Sequence, residues 1–288
     1  MDARKYKPRR KPPGPDRSLQ HRINAGRVAL KAQIPLFKAQ FGQVESDWKH
    51  DGTRVTFVDY AVTERLFHAL RGDFPNDDFC SEEANPEDEE QMLEARYAWV
   101  LDPVDGTNNY ALGVPLCAIS LALLCDGFPV YGMIYDFSRD TLIQGGPGFG
   151  LYDGCRKIAM SEDHLDQHAL FAIHFPLSSE DLEALTPLLN RYRIRSFGSS
   201  ALNLAYTAIG LVHGVVDTRL HLWDMAAGWA LLKAAGFPMH FDGPGPFPLR
   251  RFHAKSKPFA CIAGTPAACV QLSGLLPRMT NGGSAISS

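Results

Sequence analysis

No two of the six cysteines in this 288-residue chain stand in a C-x-x-C spacing. Cys80, Cys117, Cys125, Cys155, Cys261 and Cys269 are scattered, mostly among apolar neighbours. The absence of a paired-thiol motif points to reduced, buried thiols in a cytoplasmic protein. Long apolar runs are missing too. The longest, from Val114 to Cys125, contains a proline and a serine, and it falls short of the roughly 20 residues a membrane helix needs. The first residues hold no apolar signal core, so export is not expected. No repeat or low-complexity block interrupts residues 23–278.

Strong net charge is also absent, at −3 for the whole chain, but that value conceals a division. Residues 1–22 carry eight Lys/Arg against two Asp, which leaves −9 on the rest. An acidic body argues against nucleic acid as its partner. The Lys/Arg/Pro-rich segment 1–22 lacks core-forming residues and reads as a disordered basic tail. Residues 279–288 are small and polar and read as a second flexible tail.

What is present is a mixture of helical and strand patterns. Helical spacing covers 23–45, and Val55–Asp59 leads into another amphipathic helix over Tyr60–Leu70. Asp77–Ser81 is a short strand, and Glu82–Glu94 an acidic loop. Strands over Tyr97–Leu101, Ala118–Leu124, Val130–Tyr135 and Thr141–Gly146, joined by short turns, suggest antiparallel pairing. Gly145-Gly146-Pro147-Gly148-Phe149-Gly150 reads as a loop, because proline breaks it and no helix follows. The second half alternates: strands at Ala169–Phe175, Arg193–Phe197, Gly214–Thr218 and Phe259–Gly264, and helices at Glu180–Leu189, Ser199–Ile209, Met225–Ala235 and Pro266–Leu276. This order predicts a layered α+β fold, one continuous domain over 23–278 with lobes of about 23–157 and 158–278.

The most informative stretch is Asp102-Pro103-Val104-Asp105-Gly106-Thr107-Asn108-Asn109-Tyr110. Pro103 pushes Asp102 toward an extended conformation at a strand end, Gly106 permits a sharp turn, and Thr107 can cap a helix. Two carboxylates on a stiff turn beside a helix start suit a hard divalent cation and a phosphate together. Asp59, Glu82, Asp102, Asp105 and Asp224 all sit where regular structure starts or stops. Each has a plainer reading of its own. Asp59 and Asp224 suit helix caps, Glu82 suits a solvated loop, and Asp105 suits a side-chain turn with Gly106.

Together the blocks resemble the inositol monophosphatase-like superfamily. The Asp102–Tyr110 stretch is similar to its D-P-[IVL]-D-G-T-x-N-[FY], and Trp223-Asp224-Met225-Ala226-Ala227-Gly228 to its W-D-x-A-[AG]-G. Arg195 to Leu204 resembles R-x-x-G-[ST]-[AS]-A-x-x-L, while Ser81-Glu82-Glu83 stands for G-E-E and Val55–Asp59 for V-T-x-x-D. The resemblance implies an α/β/α/β/α sandwich, a homodimer, inhibition by Li⁺, and two or three Mg²⁺ ions per site. It assigns one metal to Glu82, Asp102 and the Val104 carbonyl, and a second to Asp102, Asp105 and Asp224. Thr107 and Asp59 would orient water, with Glu82 also catalytic. The Gly106 and Thr107 N–H groups would receive phosphate, and Ser199, Ser200 and Asp217 the alcohol. Asp217 stands where a glutamate is common in inositol phosphatases.

The implied function is Mg²⁺-dependent hydrolysis of a small phosphate monoester, with inositol monophosphate the leading substrate. Fructose-1,6-bisphosphatase, histidinol-phosphatase and 3′-phosphoadenosine nucleotide phosphatase are the alternatives within that chemistry. A non-catalytic metal-binding protein acting through its basic tail is the alternative outside it. His221 reads as a packed side chain, Trp99 and Trp223 as core or site wall, and Lys49 as a surface lysine, on a loop that the resemblance implies covers the site.

Overall fold

Odd and even side chains of the central strands enter different cores, and this alternation builds the architecture. The structure is a computed structural model that describes residues 17–48, 54–83, 90–159 and 165–280. Helix α1 (Arg17–Lys31) precedes α2 (Ile34–Gln40), an antiparallel pair β1 (Ser46–Trp48) and β2 (Arg54–Thr56), and α3 (Phe57–Asp73). Then come β3 (Asp78–Ser81), β4 (Gln91–Met92), β5 (Tyr97–Asp105), α4 (Thr107–Leu112) and β6 (Ala118–Cys125). Strands β7 (Phe128–Asp136), β8 (Thr141–Gly146), β9 (Gly150–Asp153) and β10 (Arg156–Lys157) complete the first half. The second half runs β11 (Leu170–Ile173), α5 (Ser179–Arg191), β12 (Arg193–Arg195), α6 (Ser200–Ala208), β13 (Gly214–Leu220) and α7 (Leu222–Ala235). It ends with β14 (Met239–Phe241), β15 (Arg251–Phe252), β16 (Phe259–Gly264) and α8 (Pro266–Leu275).

One sheet has seven strands in the order β10-β9-β8-β7-β6-β5-β3, antiparallel except for the β3–β5 pair. The other has five in the order β12-β11-β13-β16-β14, with β11 parallel to both neighbours. Trp99, Leu101, Leu121 and Leu123 face an outer core shared with Leu19, Leu30 and Leu66 of α1 and α3. Their neighbours Ala98, Val100, Ala122 and Leu124 face a middle core with α6 and α7. Across that core Val215 and Ala263 look back from the second sheet, while Val216 and Ile262 look outward to α5 and α8. The result is the five-layered α/β/α/β/α sandwich.

The middle layer is thin because its residues are small. Gly132 of β7 lies so close to α7 that a Cβ there would stand 2.3 Å from the Ala227 carbonyl oxygen. The Ala226-Ala227-Gly228 run of the motif is therefore a packing requirement: it lets α7, and with it Asp224, settle onto the sheet.

Several boundaries differ from the sequence expectation. The basic segment was expected to stay a tail through residue 22, yet α1 begins at Arg17. Leu19 is buried, and Arg22 clasps Asp77 with two hydrogen bonds of 2.8 and 2.7 Å while lying over the Tyr97 ring. Residues 1–16 lie outside the described part. The second tail also starts later than 279, because Met279 is fully buried in a short turn over Pro277–Thr280. The helical pattern over 23–45 splits at Pro35, which cannot donate a backbone hydrogen bond. The helix expected from Tyr60 begins at Phe57, after Thr56, whose side chain caps α3 by accepting the Val58 N–H. Helix α7 starts at Leu222, so Asp224 stands in its first turn rather than capping it. The acidic loop contributes β4, paired with β15. The glycine-rich stretch 145–150 is the end of β8, the turn at 147–149 and the first residue of β9.

Replacing Gly132 with alanine is expected to destabilise the protein by about 1–3 kcal/mol, measured as a lower midpoint in denaturant. A chain truncated to begin at residue 23 should likewise melt below the full chain, since it loses the buried Leu19 and the Arg22–Asp77 clasp.

Candidate active site

Strand β5 delivers the first two carboxylates. It does not end at Asp102 as the sequence suggested but continues through Pro103, and its pairing with β6 shifts register between Asp102 and Asp105. That irregularity lets residues three apart converge on one place. Gly106 then turns the chain at φ +83°, where a Cβ would crowd the Leu116 and Gly198 carbonyl oxygens at 3.0 and 3.1 Å. Glycine is required there. Thr107 is the first residue of α4 rather than its cap, and its hydroxyl donates to the Val104 carbonyl at 2.8 Å. Asn109 secures the turn by donating to the carbonyls of Leu116 (2.7 Å) and Phe197 (2.8 Å), which ties two motif blocks together.

Asp224 arrives from α7. Asp102, Asp105 and Asp224 each offer a carboxylate oxygen, all within 4.8 Å of one another, and all three are buried. Glu82 stands beside them: Ser81 pairs with Leu101 across the parallel β3–β5 ladder, so the next residue lies next to Asp102. Its charge is felt at both Asp102 and Asp224. Ser81, in place of the expected glycine, shares a hydrogen bond with Thr63 and accepts the Glu83 N–H at 3.3 Å.

The electrostatics follow from burial. Loss of water pushes the Asp102 carboxyl well above the ordinary carboxylate range, and the charges of Glu82, Asp105 and Asp224 push it further. Burial raises Asp224 in the same way. Asp105 is pushed up to about 6 by burial; Ser199, the Ala201 N–H, the charge His174 carries when protonated and the Ser200 N–H pull the other way. Asp59, in the first turn of α3, is raised to about 7 by burial, although it accepts the Thr56 N–H and hydroxyl at 2.8 and 2.7 Å. These hydrogen bonds occupy only some of the lone pairs. The Asp105 Oδ2 takes the Ser199 hydroxyl and the Ala201 N–H, whereas among the described residues Oδ1 takes only the Ser200 N–H at 3.2 Å. The Asp102 Oδ1 takes the Val104 N–H at 3.1 Å, and the Asp224 Oδ2 the His221 N–H at 2.8 Å. Each carboxylate thus keeps acceptor capacity toward the shared space.

The residues expected to meet the alcohol lie beside the carboxylate cluster. Ser199 is buried and turned to Asp105 while capping α6. Asp217 is also buried, and its two oxygens accept the Ser200 hydroxyl (2.7 Å) and the Arg219 N–H (3.0 Å). His221 stacks flat on Trp223 with ring centres 4.7 Å apart, and Trp99 is a core residue whose indole donates to Asp77. Lys49 lies outside the described residues. Sequence reasoning passed over His174, which meets Ser200 and Asp217; only the pairing of β11 with β13 reveals it.

The arrangement matches known proteins over most of its length. A family model described as the inositol monophosphatase family covers residues 16–266. The chain belongs to the inositol monophosphatase family. Members of this family are phosphoric monoester hydrolases, and so is this protein. It is 28% identical over 230 residues to a fructose-1,6-bisphosphatase/inositol-1-monophosphatase of Aquifex aeolicus, covering 76% of this chain and 85% of that one. To an inositol-1-monophosphatase of Mesorhizobium japonicum it is 30% identical over 226 residues, covering 75% and 84%. The crystal structure of the extragenic suppressor protein suhB from Bartonella henselae superposes with a TM-score of 0.75 at 25% identity, covering 91% and 98%. Among the described residues no helix is long and apolar enough to cross a membrane.

The raised carboxylates give a signed pH dependence. A folded state that holds protons on Asp59, Asp102, Asp105 and Asp224 binds more protons than the unfolded chain between about pH 4 and pH 7, so stability falls as pH rises through that window. With a chelator present, the midpoint should decline across it, and the decline should be shallower in Asp102→Asn. An equal slope in the two proteins would contradict this.

Proposed function

We propose that this family member is a Mg²⁺-dependent hydrolase of a small phosphorylated polyol, with inositol monophosphate as the leading substrate. One observation carries the reading: three buried carboxylates from two distant chain segments, with oxygens all within 4.8 Å. An enclosed group of like charges calls for a counter-charge, and every donor in it is a hard oxygen, which favours Mg²⁺ over softer ions. In this reading Glu82, Asp102 and the Val104 carbonyl hold one ion and Asp102, Asp105 and Asp224 a second; a third near Glu82 fits the same acidic surroundings. When bound, such ions would lower the pKa of a water and stabilise the charge on the transferring phosphoryl group and the leaving oxygen.

The chain's own groups do the rest. Thr107 already directs its hydroxyl proton to the Val104 carbonyl, so its oxygen has lone pairs to accept a hydrogen bond from the attacking water. Asp59 receives both Thr56 bonds on Oδ2, which leaves Oδ1 to take a proton, and a pKa near 7 suits that role. The backbone N–H groups of Gly106 and Thr107, at the turn that follows the two aspartates, are the phosphate's donors. No serine or cysteine is proposed as a covalent nucleophile.

The homodimer and the Li⁺ sensitivity are carried over from the family resemblance. The six free thiols support the cytoplasmic setting. A bisphosphatase activity is the second reading, favoured by the similarity to the fructose-1,6-bisphosphatase/inositol-1-monophosphatase of Aquifex aeolicus. The tail-mediated alternative depends on residues outside the described ones.

The test is a panel of inositol monophosphate, fructose 1,6-bisphosphate, histidinol phosphate and 3′-phosphoadenosine phosphate, assayed with Mg²⁺ and with chelator. Turnover of inositol monophosphate should need Mg²⁺, and Asp102→Asn should lose about 10³-fold or more in kcat/KM while melting as a folded protein. An active Asp102→Asn, or full turnover in chelator, would remove the metal assignment.

A further inference from the structure

Beside the carboxylate cluster lies a second polar constellation that no part of the mechanism above uses. His174 follows β11 immediately. Ile173 pairs with Val216 on the parallel strand β13, and the His174 N–H donates to the Val216 carbonyl at 3.0 Å, so the next residues along, His174 and Asp217, lie side by side. Ser200, the first residue of α6, completes the group. Its hydroxyl oxygen is 2.7 Å from Asp217 Oδ2 and 3.1 Å from His174 Nδ1, with His174 Nδ1 to Asp217 Oδ2 at 3.5 Å.

The direction of these bonds can be worked out. A carboxylate only accepts, so the single Ser200 proton goes to Asp217. The Ser200 oxygen then accepts, and the donor facing it is the Nδ1–H of His174. That fixes the tautomer, and it leaves Nε2 of the neutral ring with a lone pair. No hydrogen bond to Nε2 occurs among the described residues, and a quarter of the side chain is exposed, whereas Asp217 is fully buried behind it. The constellation is joined directly to the cluster. Ser200 donates its backbone N–H to Asp105 Oδ1, and Ser199 donates its hydroxyl to Asp105 Oδ2.

Resting on the phosphatase reading above, we propose that His174 is the specificity-determining contact for the alcohol half of the substrate, its Nε2 accepting a hydrogen bond from a substrate hydroxyl. Asp217 and Ser200 are the positioning residues that hold the ring in the required tautomer. The substrate class this favours is a polyol monophosphate with a free hydroxyl near the ester.

The experiment uses the full chain with Mg²⁺ and inositol monophosphate, with inorganic phosphate as a competing ligand that lacks the alcohol. His174→Ala and His174→Asn should raise KM for the ester roughly tenfold, the loss of one hydrogen bond, while kcat stays within about twofold. The inhibition constant of inorganic phosphate should not change. His174→Gln, whose amide reaches the Nε2 position, should restore KM to within about threefold of wild type. If His174→Ala fails to fold, the near-isosteric Asn and Gln pair decides alone. An unchanged KM in His174→Asn overturns the inference, as does an equal weakening of phosphate inhibition. A wild-type protein that hydrolyses only esters without a free hydroxyl overturns it too, yet leaves the phosphatase reading standing. A wild-type protein that hydrolyses no phosphate ester with Mg²⁺ overturns both.

Discussion

Repulsion between buried like charges is the constraint around which this site is organised. Asp102, Asp105 and Asp224 are drawn from water into one small space, and nothing in their own chemistry favours that. The fold offsets the repulsion with backbone dipoles. Asp105 meets the first N–H groups of α6, Asp224 sits in the first turn of α7, and Asp59 occupies the first turn of α3. Each is placed where the partial positive charge of a helix start is felt. The compensation is incomplete, as the raised carboxyl groups show.

Holding charges at helix starts makes demands on the scaffold far from the chemistry. The helices must approach the sheet closely and at fixed depth, or their N-termini would not reach β5. Alanine and glycine in the middle layer provide that closeness, with Gly132 under the Ala227 backbone and Gly228 against Leu204. Large residues are displaced to the outer cores, where Trp99, Phe37 and Phe171 fill the space. Small residues inside and large ones outside are thus one arrangement, serving both packing and electrostatics.

How much of this could be read from the sequence depended on how local each feature was. The Asp102–Tyr110 stretch was legible because strand, turn and carboxylates lie within nine residues, and the Trp223–Gly228 run because Asp224 and its small neighbours are adjacent. The layered α+β order followed from periodicity for the same reason. The features that escaped depend on distant pairing. Arg22 was counted with a basic tail because its partner, Asp77, is 55 residues away. The spacing of Asp217 to Asp224 is visible in the sequence, whereas its burial and its bond to Ser200 are not. His174 carries no motif at all; only the register of β11 on β13 gives it a neighbour.

The two serines at the start of α6 show how the charge cluster and the His174–Asp217 pair are joined. Ser199 sends its hydroxyl to Asp105, while Ser200 sends its hydroxyl to Asp217 and its N–H to Asp105. Consecutive residues at a helix start point to different sides, so one turn of backbone holds both halves of the site in register. Any movement of α6 would shift the Asp105 oxygens and the His174 ring together. A substrate gripped at its alcohol by that ring would therefore have its phosphate end located relative to the carboxylates by the same few atoms. Proximity of this kind is where an enzyme gains most when the bond to be broken is unreactive.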